Sequence, residues 1–553
     1  MDQNKPILTP WQRFLGLLRL EKKDLFQVIY YAVFSGLITL TLPLGIQAII
    51  NLIQGAQVST SWIILVILVT LGVAFAGILQ LMQMRIIETI QQRLFMRASF
   101  EFTYRFPKIR MDQLYNFYPP ELANRFFDVL TVQKSLSKLL IDVPTAVLQI
   151  VFALILLSFY HPFFIAFGVL LVVLIYIVFK YTIQRGMVTS LKESKKKYIV
   201  AHWIQEVARS IMSFKISGKT SLALDKNDKL VDGYLVAREN HFKILVLQFI
   251  QMIGFKVLVT AGLLIIGGLL VLSQEMNIGQ FVAAEIIILL VIGSVEKLIL
   301  GLESFYDILT SLEKMGQVVD KKIESQTGQA ADISGDFIIE VDNVSYDVPD
   351  RSLPILDKVS LTIDSRCRIL IMGESGSGKS SLIRMISGIL RPTSGRIFLN
   401  NTSISNLQLN SYRSHLGLSF SDETPFEGTI RDNLTLGDAS ITAKELKDVI
   451  AVVGLIDYLK ETEMGLDTVI YPEGRQISFT VAKKIILARA ILKKPKLLIL
   501  EEPLEHFEES EAKRIIKYLT DPKQPWSLVV VSFNPEWKNN CSQVIELKKG
   551  QII

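Results

Sequence analysis

Two things are scarce in this chain: cysteine and, over long stretches, charge. Only 2 of its 553 residues are cysteines, Cys367 and Cys541, and they match no zinc or disulfide spacing. We interpret both as packing residues in a reducing compartment. The formal net charge of +6 indicates no nucleic-acid partner, because the basic residues of the first half gather in the segments between apolar runs.

Charge is absent from long runs in the first 310 residues, and the hydrophobic share of 50% is high for a soluble protein. Six apolar runs are long enough to cross the ~30 Å hydrocarbon core of a bilayer. They cover residues 25–53, 63–87, 139–159, 163–183, 245–272 and 278–300. Only three residues separate the third run from the fourth, which leaves a single hairpin within the membrane open. No cleavable signal is expected, because the chain starts polar.

The segments between these runs differ in their basic residues. Residues 1–23 carry five Lys or Arg, 97–134 carry six and 185–238 carry eleven, whereas the connections near 55–61, 160–162 and 273–277 carry none. The positive-inside rule therefore predicts that both termini and both long segments are cytoplasmic. Residues 191–207 and 222–245 mix apolar and charged side chains, which predicts helices that continue out of the membrane.

A short helix is predicted ahead of the first run. Thr9 and Pro10 form a typical N-cap and N1 pair. Trp11, Phe14, Leu15 and Leu18 then follow at the spacing of one helix face. This pattern predicts a helix that lies in the cytoplasmic interface and contacts membrane lipid. The alternative is an ordinary amphipathic core helix.

The last 220 residues contain a complete phosphate-binding motif. Residues 373–380 read Gly-Glu-Ser-Gly-Ser-Gly-Lys-Ser, the Walker A pattern. Its glycines let the backbone wrap a triphosphate, and its N–H groups and the following helix N-terminus face the anion. Residues 369–372 are predicted to form the preceding strand and residues 380–389 the following helix.

Six runs, two helical extensions and a C-terminal P-loop domain together resemble a half-size ATP-binding cassette (ABC) exporter. Three stretches are close to the sequences typical of this family: 361–399 (LTIDSRCRILIMGESGSGKSSLIRMISGILRPTSGRIFL), 425–434 (PFEGTIRDNL) and 488–502 (ARAILKKPKLLILEE). The membrane half is most similar to exporters of the type I secretion and bacteriocin kind.

The resemblance implies an α-helical six-span membrane domain followed by an α/β P-loop nucleotide-binding domain of the ABC type. The predicted boundaries are an N-terminal segment with the interfacial helix at 1–23, a transmembrane domain at 24–315, a linker at 316–335 and a nucleotide-binding domain at 336–553. The implied ligands are ATP and Mg²⁺, with Lys379 on the β/γ-phosphates and Ser380 on the metal. The nucleotide-binding residues are Gly373, Glu374, Ser375, Gly376, Ser377, Gly378, Lys379, Ser380 and Ser381, with Ser478 acting on the nucleotide of a partner subunit.

Several catalytic positions depart from the family pattern. The Walker B aspartate is Glu501, and the following candidate general base is Glu502. Ser421 replaces a glutamine that links Mg²⁺ to the membrane half, and Phe533 replaces the switch histidine. The signature L-S-G-G-Q is Ile-Ser-Phe-Thr-Val at 477–481, which keeps only the serine. These changes predict ATP binding with weak or partner-dependent hydrolysis.

Two functions remain open at this point. One is an ATP-driven exporter subunit for a peptide, protein or amphipathic compound, in the inner membrane of a bacterium. The other is a regulatory or scaffolding pseudo-ATPase that binds nucleotide without pumping. The implied partner is a second ABC half-transporter, in a homodimer or, preferably, a heterodimer, and a membrane-fusion protein is a further candidate.

The charged residues within the last two apolar runs carry further predictions. Lys256 and Glu296 are each 20 positions from the turn near Met276, so they are predicted to lie at one depth and to pair, either within one chain or across a dimer. The alternative is that both extend separately to the interface. Glu285 lies closer to the middle of the bilayer and has no basic residue at its level in either run, which makes it a candidate pathway residue.

Overall fold

The computed structural model describes residues 8–54, 60–325, 327–333, 335–349 and 351–553. The chain forms two compact units. Unit 1 comprises residues 1–107 and 116–321, and unit 2 comprises residues 108–115 and 322–553. Parts of three predicted segments lie outside the described residues: 1–7 of the N-terminal segment, 55–59 of the connection near 55–61, and 326 and 334 of the linker. The predicted domain boundaries remain predictions.

Unit 1 is helical throughout its described residues apart from short turns. Its α-helices are α1 (Pro10–Leu20), α2 (Lys22–Gln54), α3 (Thr60–Arg105), α4 (Pro119–Ala123), α5 (Asp128–Ser158), α6 (Phe163–Arg209), α7 (Ile211–Ile216), α8 (Leu222–Gly262), α9 (Gly268–Leu272) and α10 (Ile278–Val319). A single π-helical turn, Leu263–Gly267, joins α8 to α9. Six of these stretches are long and apolar enough to cross a membrane, which confirms the six predicted spans.

The third and fourth spans are separate helices rather than one short hairpin. α5 ends at Ser158 and α6 begins at Phe163, and each is far longer than half a bilayer requires. The predicted extensions at 191–207 and 222–245 lie inside α6 and α8, which confirms that both helices continue well past the apolar run.

The predicted cap starts α1. Thr9 and Gln12 form a reciprocal capping box, and Pro10 occupies the first helical position. Phe14 is buried and packs edge-on against Phe305 of α10, with ring centres 5.7 Å apart. Trp11 on the same face is about half exposed. One part of the apolar stripe therefore packs against α10, and another part lies on the surface of the unit.

The charged residues predicted to pair do so within one chain. Lys256 Nζ donates to Glu296 Oε2 at 2.7 Å, which confirms the pairing of α8 with α10. Glu285 is half-buried on α10. Polar side chains add further links between helices: Gln248 donates to the Tyr306 hydroxyl at 3.1 Å, and the Tyr160 hydroxyl donates to Gln47 at 2.6 Å.

Unit 2 is an α/β domain. Its strands are β1 (Ile339–Tyr346), β2 (Leu356–Ile363), β3 (Arg368–Gly373), β4 (Ser394–Leu399), β5 (Thr402–Ser403), β6 (Leu416–Ser419), β7 (Gly428–Thr429), β8 (Val469–Ile470), β9 (Leu497–Glu501), β10 (Ser527–Val531), β11 (Gln543–Lys548) and β12 (Gln551–Ile552). Its helices are α11 (Lys379–Ile386), α12 (Leu409–Ser414), α13 (Ile430–Thr435), α14 (Ala443–Val452), α15 (Ile456–Glu461), α16 (Phe479–Leu492), α17 (Glu509–Thr520) and α18 (Glu536–Asn540).

The main sheet of unit 2 has the strand order β12-β11-β3-β10-β9-β6. Its first five strands in chain order pair in parallel, and β12 closes one edge antiparallel to β11. A second sheet has the order β2-β1-β4-β5. Central strands β9 and β10 are buried along their whole length, and each contains four consecutive apolar residues, as expected of strands covered on both faces.

Both cysteines lie in the packed parts of unit 2, as predicted. Cys367 packs against the apolar cluster on one side of the main sheet and Cys541 against the cluster on the other. Both thiols are free. Burial raises the pKa of Cys541 to about 11, so it is a protonated thiol at neutral pH.

The helix after the P-loop differs in length from its prediction. It was predicted over 380–389, but α11 runs from Lys379 to Ile386. The three-residue overestimate at its C-terminal end has a backbone cause: Gly388 has a φ of +70°, a left-handed conformation that ends helices.

Candidate functional site

The topology of the main sheet gathers the predicted site residues along one edge. The P-loop follows β3, Ser532 and Phe533 follow β10, Glu501 ends β9, and Ser421 lies just past β6. These four strands are neighbours in the order β3-β10-β9-β6. Since they are parallel, their carboxyl ends face the same side, where ligands of open α/β sheets bind. Segments up to about 160 residues apart in sequence thus form one continuous edge.

The P-loop conformation depends on its glycines. Gly373, Gly376 and Gly378 have φ values of +145°, +81° and +104°. A Cβ at Gly378 would lie 2.6 Å from Leu356 Cδ2 and 2.7 Å from the Ile355 carbonyl oxygen. At Gly376 no neighbouring atom comes within 4 Å of the position that a Cβ would take. Gly373 and Gly378 therefore permit close packing behind the loop. Gly376 is needed only for its backbone conformation.

Lys379 lies across the mouth of the loop. Its Nζ donates to the carbonyl oxygens of Gly373 and Glu374, each at 2.8 Å. Burial lowers the pKa of Lys379, while the carboxylates of Glu502 and Glu501 act in the opposite direction. Its Nζ also lies 5.1 Å from the centre of the Phe533 ring, within cation–π range.

Glu501 is one of the few buried acidic side chains of unit 2, with 4% of its surface exposed. The backbone N–H of Ser421 donates to its Oε2 at 3.3 Å. The carbonyl oxygen of Ser421 in turn accepts from Lys483 Nζ at 2.5 Å. The contact between Ser421 and Glu501 is therefore made by main-chain atoms of residue 421 and does not involve its hydroxyl.

Glu502 is held by the strand beside it. Its two carboxylate oxygens accept from the Ser532 hydroxyl at 2.9 Å and from the Phe533 backbone N–H at 3.0 Å. Its φ of +41° turns the chain out of β9. Burial raises the pKa of Glu502, and these two hydrogen bonds oppose the rise. A carboxylate oriented in this way, with a raised pKa, has the properties expected of a general base.

The signature segment begins α16. The Ser478 hydroxyl accepts from the Val481 N–H at 3.2 Å and so caps the helix. The exposed Phe479 ring packs edge-on against His506 at 5.4 Å between centres, and the Thr480 hydroxyl donates to the His506 carbonyl at 3.4 Å. Within the described part of the chain, no hydrogen bond joins Ser478 to residues 373–381. The fold keeps Ser478 with its own helix, so its predicted role on a partner's nucleotide remains a prediction.

The sequence argument missed Lys483. This lysine is 2% exposed, and its Nζ donates to the carbonyl oxygens of Phe420 and Ser421 at 3.2 and 2.5 Å. Burial lowers the pKa of Lys483. The available signal was periodicity, because Lys483 lies three and four residues before buried Ile486 and Leu487 on the same helix. Ser532, the hydroxyl donor to Glu502, was also missed.

The residues present suit a nucleotide with a hard divalent cation. Ser380 and Glu501 offer hydroxyl and carboxylate oxygens, the ligand types that Mg²⁺ prefers. Among the described residues, no group of three or more His, Cys, Asp or Glu side chains forms a separate metal site. A metal at this edge would therefore be held jointly by the protein and by phosphate oxygens of the nucleotide.

Comparison with known proteins agrees with this geometry. Residues 356–505 match the family model for the ABC transporter domain. The alpha-hemolysin translocation ATP-binding protein HlyB of Proteus vulgaris is 26% identical over 331 residues, which cover 59% of this chain and 46% of HlyB. The toxin RTX-I translocation ATP-binding protein of Actinobacillus pleuropneumoniae is 26% identical over 290 residues, 52% of this chain and 41% of that protein. The chain thus matches about half the length of these relatives.

The whole fold has a counterpart among solved structures. A bacterial Atm1-family ABC exporter with ATP bound superposes with a TM-score of 0.85 at 16% identity, over 97% of this chain and 95% of that one. Residues 356–505 thus match an ABC transporter domain, and six stretches of the chain are long and apolar enough to cross a membrane. The chain as a whole shares the fold of a bacterial ABC exporter.

Proposed function

We propose that this chain is a subunit of an ATP-driven exporter that moves a peptide, a protein or an amphipathic compound out of the cytoplasm. The observation that carries the proposal is the complete P-loop at the edge of an ABC domain, in a chain with six membrane spans. HlyB and the RTX-I protein are named for translocation of a hemolysin and a toxin, which favours a polypeptide substrate here.

In the proposed site the P-loop residues 373–381 hold the phosphates and Ser380 and Glu501 hold Mg²⁺. Glu502 accepts the proton of the attacking water, for which its raised pKa and its two fixed hydrogen bonds are suited. Ser478 acts on the nucleotide of a second subunit. Since Phe479 and Thr480 place side chains where the family has glycine, this chain's signature contributes little to that second site.

The proposed assembly is a dimer of half-transporters, with a heterodimer favoured. A partner with an intact signature would complete the nucleotide site on this chain's P-loop. A membrane-fusion protein is a further proposed partner, by analogy with secretion systems. The basic segments favour a cytoplasmic location for the termini and the ATP-binding domain, and we propose the bacterial inner membrane as the location.

A second function is favoured by the substitutions themselves. Phe533 has no side-chain donor for a phosphate oxygen, and Ser421 contacts Glu501 through its backbone alone. A regulatory or scaffolding subunit would bind ATP and change conformation without sustained hydrolysis. In that case the partner would perform the chemistry.

ATPase turnover in proteoliposomes separates the two functions. The protein is measured alone and with a candidate partner half-transporter, beside a Lys379→Ala variant. An exporter subunit shows turnover and ATP-dependent movement of a fluorescent peptide or amphipath, and both disappear in the variant. Nucleotide binding without turnover or movement, with any partner offered, supports the regulatory function and contradicts the exporter.

A further inference from the structure

Unit 1 has a groove between α6 and α8 that the proposed function does not use. Its volume is about 490 Å³, and its walls include Lys180, Gln184 and Arg185 of α6 and Ile244 of α8. The Thr189 side chain, which also lines it, lies 2.9 Å from His241 Nδ1 and so joins the two helices at its base. Among the residues that the structure describes, no acidic side chain lines the groove.

In the described part of the chain, the two cations of the groove have no acidic partner, unlike several other charges of this unit. Lys256 is paired with Glu296, Arg238 with Glu193, and Arg13 with Asp320. Within the described ranges, Lys180 and Arg185 are both exposed and neither has a carboxylate within ion-pair distance. Lys180 Nζ instead lies 5.6 Å from the centre of the Tyr176 ring. Two uncompensated positive charges beside a cavity form a site that is complementary to an anion.

The groove also lies at a defined depth. Lys180 and Arg185 are 17 and 22 residues from the start of α6, so at ~1.5 Å per residue they lie about 26 and 33 Å along the helix. The hydrocarbon core is ~30 Å thick, so the two cations bracket its far boundary. In the proposed orientation, on which this step rests, that boundary is the cytoplasmic headgroup layer, where anionic lipids are concentrated.

An apolar strip continues from the groove toward the bilayer centre. Val173, Tyr176 and Ile177 lie one to two turns before Lys180 on the same helix face, and each is more than 40% exposed. Tyr181 at the groove itself is of the type enriched at membrane interfaces. A ligand that fits both features needs a negative headgroup next to an acyl chain, and a free phosphate ion would use only one of them.

We propose that the groove between α6 and α8 binds an anionic phospholipid of the cytoplasmic leaflet. The phosphate group lies between Lys180 and Arg185, with Gln184 donating to it, and one acyl chain follows the strip of Val173, Tyr176 and Ile177. The lipid would hold the two long helices together at the level where they leave the membrane.

The test counts lipids on the purified full-length protein. The protein in detergent is equilibrated with equal amounts of phosphatidylglycerol and phosphatidylcholine, and retained lipids are counted by native mass spectrometry. The wild type is expected to retain phosphatidylglycerol selectively. A Lys180→Gln/Arg185→Gln variant is expected to lose that selectivity by roughly 10-fold or more, since each basic residue near the surface contributes about 5-fold.

The chain offers a matched control. Lys134 and Lys138 of α5 are exposed and lie 24 and 20 residues from the end of their helix, at about the same depth, and they do not line the groove. Lys134→Gln/Lys138→Gln removes the same charge and is expected to leave the selectivity unchanged. If both double variants lost the same selectivity for phosphatidylglycerol, the effect would come from general surface charge, and the proposal would be overturned.

Three further measurements keep the test decisive. The charge-conserving Lys180→Arg/Arg185→Lys variant should retain phosphatidylglycerol, which separates loss of the site from loss of folding. Displacement of the lipid by millimolar inorganic phosphate would show a simple anion site and overturn the lipid proposal. The proposal would also be overturned if the Lys180→Gln/Arg185→Gln variant retained lipid like the wild type but differed from it in oligomeric mass by light scattering. The groove would then be an interface with a second copy of the chain. Cysteine accessibility from each side of the membrane tests the orientation separately.

Discussion

The edge of the main sheet has two sides that differ in how closely they follow the ABC family. On the phosphate side, residues 373–381 keep every family residue, and the glycines take the backbone conformations that the loop requires. Beside it, Glu501, Ser421 and Phe533 occupy positions where the resemblance to the ABC family implies an aspartate, a glutamine and a histidine. The phosphate-binding motif is thus complete, whereas the neighbouring positions differ from those that the resemblance implies.

The replaced side is nonetheless ordered by the structure. The Phe533 backbone N–H and the Ser532 hydroxyl orient Glu502, the Ser421 backbone N–H reaches Glu501, and Lys483 holds the Ser421 carbonyl. At positions 421 and 533 the fold makes these contacts through main-chain groups, which a side-chain substitution does not remove. Losing the family side chains has thus not removed the scaffold that carries the candidate base.

The largest expected effect is on the phosphate side. Lys379→Ala should abolish measurable nucleotide binding, because it removes the cation that lies across the mouth of the P-loop. Fluorescent nucleotide titration of the detergent-purified protein measures it, with Lys517→Ala on exposed α17 as the control. Equal affinity in wild type and Lys379→Ala would show that the intact loop is not the binding site.

The next effect concerns Glu502. Glu502→Gln should lower basal ATP hydrolysis by roughly 10²–10³, the scale of losing one group that acts in the transition state. Nucleotide binding should stay within a few-fold of wild type. Glu546→Gln on the exposed face of β11 is the matched control. If Glu502→Gln hydrolyses ATP at the rate of the wild type, another group accepts the proton. The assignment of binding to the P-loop and of chemistry to Glu502 would then be wrong.

Restoring family residues tests the same comparison in the other direction. Phe533→His with Phe479→Gly and Thr480→Gly should raise ATPase activity about 10-fold or more, since a single donor is worth ~3 kcal/mol in such sites and these contributions are not additive. The Phe533 backbone contact to Glu502 should survive, because it involves no side chain. A wild-type turnover on the order of 1–10 s⁻¹, typical of active enzymes, would contradict the importance assigned to the missing groups.

The two sides should also respond to pH at opposite ends of the range. Burial raises the pKa of Glu502, and a base must be deprotonated, so hydrolysis should fall with decreasing pH sooner than an ordinary carboxyl would allow. Burial lowers the pKa of Lys379, so nucleotide binding should weaken as rising pH removes its charge. Binding and turnover measured separately from about pH 5 to pH 10 should show an acidic limb in turnover at saturating ATP and a basic limb in affinity. A single shared limb would mean that one group controls both.

The smallest expected effect lies in the membrane unit, where a pair depends on side chains alone. Lys256 and Glu296 are each about one third exposed, so reversing either charge should cost about 1 kcal/mol of stability in detergent. The double swap, Lys256→Glu with Glu296→Lys, should recover most of that loss. Thermal unfolding of the four proteins measures the coupling. If the double variant loses the sum of the two single losses, the 2.7 Å contact contributes nothing to stability.

Much of the fold follows from patterns that are local in sequence. The apolar runs, the cap at Thr9 and Pro10 and the P-loop are each contained in a short stretch, and their structures match the predictions apart from helix ends such as that of α11. The pairing of Lys256 with Glu296 was also predictable, because two helices joined by a tight turn fix the relative depth of their residues.

The order of the main sheet is what the sequence left undetermined. Ser532 and Phe533 contact Glu502 across 30 and 31 residues, and Lys483 reaches Ser421 across 62, because β10 inserts between β3 and β9 and because α16 packs against β6. Lys483 shows why residue type alone could not predict these long-range contacts. The same side chain on an exposed helix face would be an ordinary surface charge. By itself the sequence determined that this chain spans a membrane and carries a phosphate-binding loop, since hydrophobic length and backbone conformation are properties of contiguous residues. Only the tertiary structure decided which distant groups orient the candidate base and where two membrane helices leave a basic groove, since both depend on strands and helices that meet far from each other in sequence.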